Sequence, residues 1–73
     1  MATAAPASFV AEIGETAGEV WRMLAENGPM SMAKLVKGVD QSRDTVMLAI
    51  GWLAREEKVW IEEEKRSRVV SLR

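Results

Sequence analysis

An α+β fold is predicted by the order of two periodicities. Three successive stretches repeat their apolar residues at helical spacing, and two later stretches alternate between apolar and polar residues. Turn signals fall between them, at Gly28-Pro29, at Gly38 and in the charged connection from Glu64 to Ser67. The expected architecture is a three-helix core closed by a C-terminal β-hairpin, forming one domain over residues 9–73. Residues 1–8 are Ala-rich and contain Pro6, and they read as a disordered tail.

The first helix is expected from Phe9 to Asn27, with Ser8 as its N-cap. Val10, Ile13, Ala17, Val20 and Leu24 form its apolar stripe, and Trp21 at the border of that stripe is assigned to the core. Glu12, Glu15, Glu19 and Glu26 lie off the stripe. Gly14 and Gly18, four residues apart, cost about 1 kcal/mol each against Ala inside a helix. Their expected compensation is close approach of another backbone, within the fold or across a dimer. Gly28 supplies a left-handed cap, and Pro29 cannot continue the helix.

Ser31 is expected to cap a second, two-turn helix, with Met30 and Leu35 spaced as a hydrophobic staple. Ala33, Leu35 and Val36 are its expected buried side, Lys34 and Lys37 its outer side, and Gly38 its end. Asp40 or Ser42 caps a third helix running to about Glu57, whose core stripe is Val46, Ala49, Ile50 and Leu53. Two helices joined by a tight turn form a helix-turn-helix pattern.

In the hairpin, Val59 and Ile61 share one face with Val70 and Leu72, leaving Trp60 and Glu62 on the other. The connection lacks an Asn-Gly pair, so a loop longer than two residues is expected. A helix-turn-helix core followed by a terminal hairpin is the order of a winged helix.

The residues Ile13-Gly14, Ala17-Gly18 and Trp21, the run Ala49-Ile50-Gly51-Trp52-Leu53-Ala54-Arg55-Glu56 with Lys58, and the ending Val70-Ser71-Leu72 resemble a small bacterial and archaeal winged helix-turn-helix family of unestablished function. The resemblance spans Ile13 to Leu72, and the Gly-Trp-Leu-Ala-Arg-Glu run is its most specific part. It implies a homodimer. Glu57 stands where that family often has Gly or Asn, and the hairpin tip lacks the expected Gly.

Composition narrows the function classes. There is no Cys and no His, which removes disulfides, the commonest metal ligands and the commonest general base. No Gly-rich phosphate loop is present, and the adjacent Glu62-Glu63-Glu64 carboxylates alternate faces on a strand. No enzyme activity, cofactor, metal or small-molecule substrate is expected. Neither a signal peptide nor a membrane span is legible, and the cytoplasm is the default location.

Two readings of function follow. Ten basic and eleven acidic side chains leave a net charge of -1, unlike the basic balance of most DNA-binding domains. DNA binding is therefore the alternative reading. It would use Arg43 at the start of the third helix, Lys34 and Lys37 on the second, and Lys65, Arg66 and Arg68 at the wing tip. The neighbouring Asp44 and Glu62 to Glu64 oppose it, and a solvated surface of alternating sign accounts for the same charges. The first reading is a module acting through self-association or other protein contacts. Its candidate surface is Leu48 and Trp52 on the third helix, with Trp60 and Val69 on the outer face of the hairpin. For Trp52, interface and core stay equally open.

Overall fold

The computed structural model describes the backbone of residues 4–73 and the side chains of residues 9–73. Six elements follow in order: α1 (Ala4–Asn27), β1 (Met30–Ser31), α2 (Met32–Gly38), α3 (Arg43–Arg55), β2 (Val59–Glu64) and β3 (Ser67–Leu72). This is the expected α+β winged helix, with three helices, a hairpin and one further strand.

The helix boundaries follow from identifiable caps. Gly28 adopts φ +79°, and its N–H donates to the Leu24 carbonyl at 2.8 Å, closing α1 with a left-handed cap. Ser31 caps α2 by accepting from the Lys34 N–H at 3.2 Å. Of the two candidates at α3, Ser42 is the cap: it accepts from the Thr45 N–H at 3.2 Å. Its hydroxyl also lies 2.9 Å from that of Thr45, which satisfies a buried hydroxyl. The end of α3 is a Schellman motif. Lys58 N–H donates to Leu53 O and Glu57 N–H to Ala54 O, with Glu57 left-handed at φ 61°. Glu57 thus occupies a conformation that favours Gly or Asn.

The core is formed by Ala17, Val20 and Leu24 from α1, Leu35 and Val39 around α2, Val46, Ala49, Ile50 and Leu53 from α3, and Val59 and Val70 from the hairpin. All four expected stripe residues of α3 are in it. Thr16 is buried too, its hydroxyl donating to the Glu12 carbonyl one turn back at 2.8 Å.

The sheet is ordered β1-β3-β2, with β3 in the middle. Ile61 pairs with Val70 and Val59 with Leu72, as the hairpin alternation requires, and Met30 pairs with Val70 on the other side. The two-residue β1 was not expected, because so short a segment carries no periodicity to detect.

Several expectations are corrected. α1 begins at Ala4 instead of after Ser8. Pro6, third in the helix, has an N–H position that would be unpaired in any first turn, so its ring is tolerated there. Of the expected tail, Met1 to Thr3 lie outside the described residues, and residues 4–8 have helical backbone. The hairpin connection has two residues, Lys65 and Arg66, between Glu64 and its partner Ser67. Lys65 takes φ 43°, the left-handed first position that a tight primed turn demands. Ala33 is exposed, and the inner side of α2 is instead Leu35 with half-buried Met32 and Val36. Gly38 is not left-handed. A Cβ there would meet the Met23 Cε at 2.6 Å, the tip of a flexible side chain reaching over from α1 that would have to shift.

Two substitutions test the cap assignments by thermal or urea denaturation. Glu57→Gly relieves a left-handed non-glycine residue and is expected to stabilise the fold by about 0.5–1 kcal/mol. Ser42→Ala orphans the Thr45 N–H and hydroxyl together and is expected to cost about 1–2 kcal/mol.

Candidate functional site

Two of the concave surfaces left by the helices and the wing have distinct chemistry. The first lies between the helix-turn-helix and the hairpin. It is a cleft of about 310 Å³ lined by Met32, Ala33 and Val36 of α2, Arg43 and Met47 of α3, and Glu63 to Arg68 of the wing apart from Glu64. Its floor is apolar, made by the half-buried Met32, Val36 and Met47. Its rim is cationic, with Arg43, Lys65, Arg66 and Arg68 against one carboxylate. That carboxylate, Glu63, faces Arg68 across the hairpin at 3.3 Å. Both partners are well exposed, so the pair contributes little to stability. Among the described residues this is the one ion pair, and Arg43, Lys65 and Arg66 have no carboxylate within bridging distance.

Four of the six cations singled out in the sequence therefore line one cleft. Lys34 instead borders a shallow hollow with Asn27, Pro29, Met30 and Ser31, and Lys37 is exposed outside both surfaces. Met32, Val36 and Met47 were not singled out for function. Their signal in the sequence is only that they sit beside the core stripes.

The second surface is a groove of about 430 Å³ between α1 and α3. Gly14, Ala17, Gly18 and Trp21 form one side, and Trp52, Leu53 and Lys58 the other. A Cβ added at Gly14 or Gly18 would meet nothing within 4 Å, so no backbone of the same chain approaches them. Of the two compensations expected for these glycines, the one within the fold is overturned. Trp21 is also corrected: it is 47% exposed and does not complete the core. It lies about 100° around the helix from Val20, which places it at the groove instead of beneath it. Trp52 is equally open, at 46%.

The four residues expected to form one interface divide between two places. Trp52 joins Trp21 at the groove, and Leu48 is exposed one turn earlier on α3. Trp60 and Val69 lie on the outer face of the sheet, where the Arg73 guanidinium sits 4.0 Å from the Trp60 ring centroid. Trp60 therefore has a partner in its own chain.

Residues 9–72 match a family described as a winged helix-turn-helix domain (DUF2582). The chain belongs to this family. An uncharacterized protein of the archaeon Methanocaldococcus jannaschii is 35% identical over 65 residues, spanning 85% of this chain and 91% of the relative. A Bacteroides thetaiotaomicron protein solved by solution NMR is 37% identical, with a TM-score of 0.75 over 85% of this chain and 76% of that one. The resemblance read from Ile13 to Leu72 thus holds at the level of family and fold. Within the run from Ala49 to Glu56, Ala49, Ile50 and Leu53 anchor the core, while Gly51 and Trp52 face outward. No helix among the described residues is long and apolar enough to cross a membrane.

The exposure of Trp21, Trp52 and Trp60 is directly measurable. In dilute protein, all three are expected to be quenched by acrylamide nearly as efficiently as in the unfolded chain. Protection of Trp21 and Trp52 at low concentration would mean that the groove is closed within the monomer.

Proposed function

We propose that this chain is a non-enzymatic winged-helix module that works through protein contacts, with a second copy of itself as partner at the α1–α3 groove. The observation that carries this reading is that two half-exposed tryptophans stand on opposite sides of one groove that two open glycines also line. Tryptophan buries a large area with few torsions to freeze, and it is enriched at the centres of interfaces. The two open glycines let an incoming helix approach closely. Around α1, the face carrying Ala11, Gly14, Gly18, Trp21 and Ala25 has no acidic residue, whereas Glu12, Glu15, Glu19 and Glu26 cluster on another face. A domain this small also gains stability from association, since its own core is limited.

Catalysis finds no support in the residues, because without His or Cys neither surface offers an obvious base or nucleophile. The fold is compatible with DNA binding, and the cleft rim supplies cations for it. Against that, the start of α3 presents Asp44, Met47 and Leu48 beside Arg43, and the cleft floor is apolar.

Glycine substitution separates association from folding. Gly18→Ala removes a helix-interior glycine without a clash, so in dilute protein it is expected to stabilise the monomer by about 1 kcal/mol. In light scattering at high micromolar concentration, Gly18→Glu and Trp52→Glu are expected to give monomers where the unmodified chain gives a dimer. An unmodified chain that remains monomeric there would overturn the reading.

A further inference from the structure

α1 is longer than the body it packs on. Its 24 residues span about 36 Å at 1.5 Å per residue, and the molecule measures 45 Å in one direction but 22 and 21 Å in the others. The burial along the helix shows where it overhangs. Val20 and Leu24 are fully buried and Ile13 is half-buried, but Phe9 and Val10 are exposed, Val10 at 66%. Phe9 lies on the same side of the helix as Val20, so its exposure comes from a lack of anything beneath it. The overhang is amphipathic, with the exposed Phe9 and Val10 on one side and Glu12 and Glu15 on the adjoining side.

The cleft between α3 and the wing has the complementary character. Its floor of Met32, Val36 and Met47 is apolar, and methionines adapt readily to an incoming side chain. Its rim carries Arg43, Lys65 and Arg66 with no carboxylate within bridging distance among the described residues. An acidic helix with an apolar edge matches both features, whereas a nucleic-acid backbone matches only the rim.

We infer that this cleft receives the projecting N-terminal part of α1 from a second copy of the chain, with Phe9 and Val10 on the methionine floor and Glu12 and Glu15 against the cationic rim. The inference rests on the self-association reading and adds a second contact to it, since the groove uses the adjoining, glycine-bearing face of α1. Docking covers the exposed apolar residues of the overhang and the open floor of the cleft in one step.

The chain has no Cys, so Ala11→Cys can carry a single nitroxide label on the overhang. Labelled protein is mixed with isotope-labelled, unmodified chain at high micromolar concentration, and intermolecular relaxation enhancement is read by NMR. The expected result is broadening of the Val36, Met47 and Ser67 amides. Broadening confined to Gly14, Gly18 and Trp52 would overturn the inference and leave groove association standing. An absence of broadening, with a monomer by light scattering, would overturn both. Salt-sensitive shifts of the cleft amides on adding a mixed-sequence duplex, without intermolecular broadening, would give the cleft to DNA. As a second measurement, the double reversal Glu12→Lys with Glu15→Lys is expected to weaken association about tenfold. Mixing it with a Lys65→Glu, Arg66→Glu chain is expected to restore a heterodimer. Reversals that leave association unchanged in folded protein would overturn the inference.

Discussion

Val70 is fully buried in the middle strand of the sheet, paired with Ile61 on one side and Met30 on the other. Much of the architecture depends on this double pairing. β2 and β3 alone would be an isolated hairpin, which is marginal in water. Pairing β3 with β1 ties the hairpin to the start of α2, and burial of Val59 and Val70 ties it to the helical core. The wing is thereby held at a fixed distance from α2 and α3, and the cleft between them exists because of that spacing.

α1 serves three environments with three faces. One face, from Ile13 to Leu24, supplies a large part of the core. A second, bearing the glycines and Trp21, lines an open groove. A third carries the acidic residues. The overall charge of -1 conceals this segregation, because the carboxylates of α1 are balanced by cations elsewhere, including those around the wing tip. A balanced total is weak evidence about partners when the charges of each sign occupy different surfaces.

The fold was largely legible in the sequence because its main signals are local. The α3 stripe of Val46, Ala49, Ile50 and Leu53, the Gly28 stop and the Ser31 and Ser42 caps each follow from residues within one or two turns. What was not legible depends on distant partners. β1 is a strand only because β3 reaches it from 40 residues away. The two-residue turn at Lys65-Arg66 prevails over poor local turn chemistry because the strand register on either side demands it. Val10 continues a helical stripe past the end of the elements beneath it, and Trp21 sits at the border of that stripe, turned into the groove beside α3. The candidate surfaces were read in part. The rim cations were identified, but the methionine floor and the pairing of Trp21 with Trp52 needed the packing of whole helices.

The brevity of β1 has a consequence for motion. Only the pairs Met30–Val70 and Ser31–Val69 join the sheet to the segment that enters α2, and they close a loop containing both α2 and α3. Closing so long a loop through so few hydrogen bonds carries a large entropic cost relative to its return. Its outer pair, Ser31–Val69, is therefore at the low-energy end of the molecule's local openings, able to part while Val70 stays in the helical core. Each such opening would loosen the wing from α2 and widen the space between them. Two residue pairs thus act as a latch on the breathing of the domain, and their strength sets how far the cleft above the methionine floor can widen.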